Sequence, residues 1–346
     1  MMRTRVLLIY TGGTIGMNRN SSTGALEPFD FGHLLANIPE LRFFDTVIAT
    51  YQFNPPIDSS DMSPERWTAL AQVIADNYDQ YNGFVVLHGT DTMAYTASAL
   101  SFMLENLAKP VIFTGSQLPI GQLRTDGKEN LITSIEIAAA RHEDGTAVVP
   151  EVGIYFNGRL LRGNRTTKLS AEEFNAFESF NYPHLVDAGV HISYHEERMM
   201  KPNLAQPLTT HFKLDNSLFV LSLFPGVREE YIGHIMSLPD VRSVVLRTYG
   251  SGNAPKNPRL LEALHQGSEN GKVIVNISQC MQGLVEMNRY DTGFQLQEAG
   301  VISGYDSTVE SAVTKLMHLM AYHDDAKVIR SLMQQSMRGE ITIPVN

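Results

Sequence analysis

Short apolar, β-branched runs alternate along this chain with longer stretches of helical period, and this alternation narrows the possible folds more than any other feature. A run of four to eight apolar residues bounded by turn residues suits a strand buried on both faces, and parallel strands need an intervening helix to be joined. Residues 5–10, 46–53, 83–88, 110–114 and 152–156 are such runs. Between the second and third, Ser63 and Pro64 form a cap and first-turn pair, and Trp67, Leu70, Ala71, Ile74 and Tyr78 follow on one helical stripe. A second series has strands near 217–224, 242–248 and 272–277, with helices near 227–237, 258–266, 308–323 and 325–337.

Between the two series, residues 191–212 contain Pro202, Pro207, adjacent glutamates and little periodicity, which suggests a linker. A length of 346 residues also exceeds what one core usually organises. The expected fold class is α/β, with two α/β domains built on mainly parallel sheets. A larger N-terminal domain spans 1–190, a linker 191–212, and a smaller C-terminal domain 213–346.

Charge and cysteine content limit the function. A formal net charge of -10 argues against nonspecific binding to nucleic acid or anionic membranes, both of which depend on clustered Lys and Arg. A small uncharged or zwitterionic ligand fits better. Cys280 is the single cysteine, so no intramolecular disulfide is available, and nothing near it marks a thiolate; it is expected to be a small buried apolar residue. The apolar run at 6–10 is only strand-length and meets Thr11, Gly12 and Gly13 instead of a cleavage site, and no run approaches the roughly 20 apolar residues of a membrane span. A cytoplasmic protein is expected.

In open parallel sheets, ligands gather beyond the carboxyl ends of the strands. The first such junction is T-G-G-T-I-G at residues 11–16, where adjacent glycines let backbone N–H groups approach an oxyanion and Thr14 presents a hydroxyl. The spacing is neither that of a phosphate-binding loop nor G-x-G-x-x-G, and a tight turn with locally satisfied threonines is the competing reading. The second is H-G-T-D-T at 88–92. Here Thr90 offers a hydroxyl and Asp91 a carboxylate for an ammonium group, although Asp91 or Thr92 would also serve as a helix N-cap.

The third is R-L-L-R-G-N-R-T-T-K at 159–168. Desolvation lowers a lysine's pKa and suits it to proton transfer, so Lys168 is the candidate partner of a threonine hydroxyl. Arg159, Arg162 and Arg165 fit structural ion pairs or an effector site. His191 and His195 lack the carboxylate pattern of a metal centre, so no metal and no cofactor are expected.

In this order, T-G-G-T-I-G and H-G-T-D-T resemble the two signatures of the L-asparaginase family, in its cytoplasmic bacterial branch. S-S-D-M, T-G-S-Q-L-P, F-N-G-R-L-L-R-G-N-R-T-T-K, Y-G-S-G-N-A-P and T-V-E-S-A-V-T-K-L resemble further family segments, so the likeness runs from residue 5 to about 340. It implies hydrolysis of L-asparagine with Thr14 as nucleophile, supported by Thr90, Lys168 and Asp91. It also implies Ser59, Ser60 and Asp91 as holders of the substrate's α-carboxylate and amino group, Ser116 beside the amide, and Asn253 supplied by a neighbouring subunit. Homodimers or homotetramers with sites completed across the intimate dimer would follow. Arg247, Thr167 and Cys280 resemble a second, allosteric asparagine site. Ala25 stands where much of the family has an assisting tyrosine. Rival readings are a glutaminase, a glutamyl-tRNA amidotransferase subunit, or a nonenzymatic nucleotide or amino-acid sensor.

Overall fold

The computed structural model describes residues 3–19, 26–28 and 38–344. Ala25 and the loop in which the family resemblance places a tyrosine lie outside them. The chain divides into two compact units, Met1–Phe212 and Lys213–Asn346.

The first unit is built on β1 (Thr4–Tyr10), β2 (Thr46–Gln52), β3 (Gly83–Leu87), β4 (Val111–Thr114), β5 (Val152–Phe156) and β6 (Arg159–Arg162). It also contains a small hairpin of β7 (Thr167–Lys168) and β8 (Phe177–Glu178), followed by β9 (Val186–Ala188) and β10 (Ile192–Tyr194). Among the described residues, eight strands form one sheet in the order β10-β9-β6-β5-β4-β3-β1-β2. The pairings from β2 through β5 are parallel and those from β5 to β10 antiparallel.

β3 and β5 are buried along their whole length, as expected of strands covered on both faces, which is why they appear in the sequence as unbroken apolar runs. The helices are α1 (Pro64–Asp76), α2 (Met93–Met103) and α3 (Gly127–Ala139). Pro64 opens α1, and Trp67, Leu70, Ala71 and Ile74 bury its inner stripe as anticipated. α2 is buried at Met93, Ala94, Ala97, Leu100 and Met103 and on its other sides too, so it carries no amphipathic stripe.

Residues 191–212 fall in the first unit. They include β10 and the strand Thr209–Thr210, which pairs with Leu104–Glu105. Asn106 holds this stretch through its Nδ2, which donates to the carbonyls of Asn203, Gln206 and Pro207. The prolines therefore end its periodicity without detaching it.

The second unit has β11 (Leu218–Ser222), β12 (Ser243–Thr248), β13 (Val273–Ser278) and β14 (Ile302–Ser303), parallel and in that order. Its helices are α4 (Glu229–Ser237), α5 (Pro258–Glu269), α6 (Asp291–Glu298), α7 (Val309–Tyr322) and α8 (Ala326–Met333). Two parallel-rich α/β units, the larger first, match the expected class. Leu246, Leu260, Leu264, Ile274 and Leu296 lie in its core.

Near its C-terminal end, Lys315 of α7 and Glu340 form an ion pair at 2.5 Å with side chains 1% and 0% exposed. Lys315 Nζ also donates to the carbonyls of Met333 and Gln335, and the Glu340 carboxylate accepts from the amides of Met337 and Arg338. A charge pair this deep is stable only because both ends are so fully bonded.

Candidate active site

The turns after β1, β2 and β3, three adjacent strands of the parallel half of the sheet, pack against one another. After β1, Thr11 donates from both its amide and its hydroxyl to the Leu87 carbonyl, at 3.0 and 2.9 Å. Gly13 has φ 97°, and a Cβ placed on it would stand 2.5 Å from the Gly89 nitrogen. Glycine is needed here because the turn before Thr14 lies directly against the turn before Thr90. A Cβ on Gly89 would meet Ser59 Oγ at 2.4 Å, so the buried Ser59 closes the third side.

Lys168 joins this group from the β7–β8 hairpin, where it stands opposite Phe177, whose ring packs on Phe156 at the end of β5. Its Nζ donates to Thr90 Oγ1 at 2.9 Å and to Asp91 Oδ1 at 2.7 Å. The Lys168 side chain is 19% exposed and that of Asp91 64%, so the carboxylate balances the lysine while remaining open to a ligand. Thr92 occupies the N-cap position of α2 but makes no side-chain cap; its hydroxyl donates to the Ser59 carbonyl at 2.6 Å. Neither Asp91 nor Thr92 is thus consumed as a side-chain cap, which separates the site reading from the competing one.

Ser60 is exposed, and both its amide and its hydroxyl donate to Asp58 Oδ1 at 2.9 Å. Those two bonds hold the Asp58 carboxyl below its usual range. Ser116, one turn beyond β4, is buried and donates to the Leu118 carbonyl at 2.5 Å. In the second unit, Asn253 follows β12 in a turn closed by reciprocal backbone bonds with Tyr249, and its Oδ1 accepts from Thr292 Oγ1 at 2.9 Å. Asn276 braces that turn, taking the Thr248 hydroxyl at 2.7 Å and donating to the Gly252 carbonyl.

Of the remaining candidates, Thr167 is buried beside Lys168, and Arg247 lies half-buried on β12 with an Nε that lacks a hydrogen-bond partner. Cys280 is exposed, not buried as expected from its apolar character, because it follows the carboxyl end of β13 in a turn where its amide bonds Ser278 Oγ. Arg162 is an ion-pair residue, donating to a buried Glu151 at 2.6 Å. Burial opposes its charge, but Glu151 outweighs that and raises its pKa. Arg165 is buried with its guanidinium 5.2 Å from the Tyr182 ring, and Arg159 reaches Glu178 at 3.5 Å. His195 pairs with Asp187 at 2.8 Å.

Sequence reasoning missed His88. His88 is fully buried under the Thr90 turn, its Nδ1 bonded to the Gly89 carbonyl at 2.6 Å and its Nε2 to Thr96 Oγ1 at 3.0 Å. It was the first letter of the motif, but only the structure supplies the partners that give it a role.

Residues 5–200 match the family Asparaginase, N-terminal, and residues 218–333 match the Glutaminase/Asparaginase C-terminal domain. The chain is 45% identical to L-asparaginase 1 of Escherichia coli (strain K12), over 99% of each chain. It is 39% identical to the 60 kDa lysophospholipase of Mus musculus, over 98% of this chain and 63% of that one. The crystal structure of L-asparaginase I from Vibrio cholerae superposes with a TM-score of 0.90 at 42% identity, covering 99% of this chain and 100% of that chain.

Proposed function

This chain belongs to the asparaginase family, and we infer from that membership that it hydrolyses the side-chain amide of L-asparagine to L-aspartate and ammonia. The observation that carries the assignment of roles is the bonding of one lysine to both residues of the T-D pair, Lys168 to Thr90 and to Asp91. Thr14 attacks the amide carbon, and backbone N–H groups of the glycine turn stabilise the oxyanion. An alkyl hydroxyl is a weak nucleophile at neutral pH, so Thr90 and Lys168 manage its proton and that of the water that resolves the acyl-enzyme. The open carboxylate oxygen of Asp91 takes the substrate ammonium, Ser59 and Ser60 its polar end, and Ser116 lines the amide side.

The reaction needs no cofactor in this scheme. This chain spans about two thirds of the length of the mouse relative. Among the described residues no helix is long and apolar enough to cross a membrane. The likeness of the signature motifs to the family's cytoplasmic bacterial branch supports a cytoplasmic location. A second copy supplies Asn253 to the site, in a homodimer or homotetramer. Arg247, Thr167 and Cys280 are proposed to hold an allosteric asparagine; a sigmoidal velocity curve that becomes hyperbolic in Arg247→Ala would support this, and a hyperbolic parent would end it.

Ammonia release from L-asparagine, L-glutamine and the D-isomers tests the reaction. Thr14→Ala and Lys168→Ala should each lose most of kcat while folding normally. Near-parent turnover in either variant removes that residue from the chemistry. For the shared site, a dimer of one Thr14→Ala subunit and one Asn253→Ala subunit has one doubly damaged and one intact site. It should recover about half of parental activity from two nearly inactive parents, and no recovery would place each site within one chain.

A further inference from the structure

The second unit has a cavity at the amino end of its sheet, at the opposite edge from the residues considered so far. Arg242 and Lys272 immediately precede β12 and β13, whereas Arg247, Asn253 and Cys280 lie at or beyond the carboxyl ends of those strands. The six residues of β12 separate the two edges by about 20 Å. The cavity holds about 290 Å³, near the lower end of the range for small-molecule sites. Exposed Gly271 lines it, and a Cβ added there would meet nothing within 4 Å.

Two cations line this cavity with hydrogens to spare. Lys272 is 6% exposed, and its Nζ donates to the Leu238 carbonyl at 2.6 Å and to the Val241 carbonyl. An ammonium has three hydrogens, so one remains unspent. Among the described residues no carboxylate pairs with Lys272, and the carbonyl ending α4 supplies only the partial negative charge of a helix terminus. Burial alone acts on its pKa and pushes it down. Arg242 donates to Asp215 and to the carbonyls of Met320 and His323, which uses three of its five N–H groups. Asp324 stands 3.7 Å from Arg242, but its side chain is fully exposed.

A clamp on the end of α4 accounts for two hydrogens of Lys272 and leaves its charge unbalanced. An anion in the cavity would accept the third hydrogen and supply the missing counter-charge, removing the cost of a buried unpaired ammonium. Met236 and Ile329 add apolar wall, which suits an organic anion with a short aliphatic body. We propose that this cavity binds a small organic anion, its carboxylate or phosphate group held between Lys272 and Arg242 and its apolar body against Met236 and Ile329.

Isothermal titration of the full chain with butyrate and, separately, with butyl phosphate at constant ionic strength tests the site. At least one probe should bind with a Kd of about 5 mM or tighter. Two isosteric changes at exposed lining residues alter charge without touching the core: Asp324→Asn removes a competing carboxylate, and Asn270→Asp adds one. Kd should fall about threefold in Asp324→Asn, rise about threefold in Asn270→Asp, and rise about tenfold or more in Lys272→Gln. Where Lys272→Gln does not fold, the opposite shifts of the other two variants carry the test. Tighter binding of butyrate assigns a carboxylate ligand, and tighter binding of butyl phosphate a phosphorylated one. Failure of both probes to bind below about 50 mM overturns the proposal. So does a Kd that moves by less than about twofold in every folded variant, which would place the anion elsewhere on the chain.

Discussion

Trp67 Nε1–H donates to Thr96 Oγ1 at 2.9 Å, and this bond determines which way protons run beneath the Thr90 turn. The indole can only donate, so the Thr96 hydroxyl passes its own hydrogen to His88 Nε2, and the other ring nitrogen of His88 donates to the Gly89 carbonyl. Every partner of His88 is thus satisfied by the neutral ring. Burial lowers its pKa from 6.5 to about 4, against the smaller opposing pull of the Gly89 carbonyl.

A pH dependence of stability follows from that histidine. As pH falls below 6.5 the unfolded chain takes up a proton at His88 that the folded chain refuses until about pH 4. The stability of the first unit should therefore be full above the unfolded pKa and decline across that window, by about 3 kcal/mol in all. Urea unfolding between pH 7 and pH 4 measures it. In His88→Gln this component of the slope should vanish; an unchanged slope would mean other groups account for the decline.

Gly13→Ala should abolish turnover more completely than its size suggests. The added methyl would stand 2.5 Å from the Gly89 nitrogen, on a residue at φ 97°. The two signature turns must then part, displacing Thr14 from Thr90, with a stability cost of about 1–3 kcal/mol. Activity and thermal midpoint should fall together, whereas a folded, active variant would show that the close approach is not required.

Asp91→Asn should raise KM for asparagine strongly, with a lesser loss of kcat. It removes the counter-charge of the substrate ammonium while leaving an oxygen for Lys168 at 2.7 Å. The comparison that matters is KM against kcat in the same preparation. An unmoved KM contradicts the ammonium role.

Glu340→Ala should destabilise the second unit by about 3–5 kcal/mol, since it strands the buried ammonium of Lys315. Burial pushes the Glu340 carboxyl up, but Lys315 and the amides of Met337 and Arg338 outweigh it and hold the group below its usual range. The double variant Lys315→Met, Glu340→Leu should regain much of the loss, because no unpaired charge remains. Denaturant unfolding of the single and double variants decides this, and equal destabilisation in both would show that the charges themselves are not what the site protects.

Periodicity carried the sequence reading where burial is one-sided or strands are unbroken. The stripe from Trp67 to Ile74 and the run at 152–156 are found where expected. It gave no bounds for α2, because a helix buried all round has no stripe, and it did not anticipate the turn to antiparallel pairing at β6, where Asn157 and Gly158 adopt positive φ. At the site, hydroxyls, carboxylate and lysine were visible as residue types after strand ends. His88 was not, since its role comes from a partner 8 residues away.

The buried pair at Lys315 and Glu340 also imposes an order on biosynthesis. Lys315 is synthesised before Glu340, so α7 leaves the ribosome with a charge that has no counter-ion to bury against. The second unit cannot close over that lysine until residue 340 has emerged, whereas the first unit, complete by Phe212, is free to fold well before then. Released chains truncated before and after residue 340 should therefore differ in protease resistance in the second unit alone.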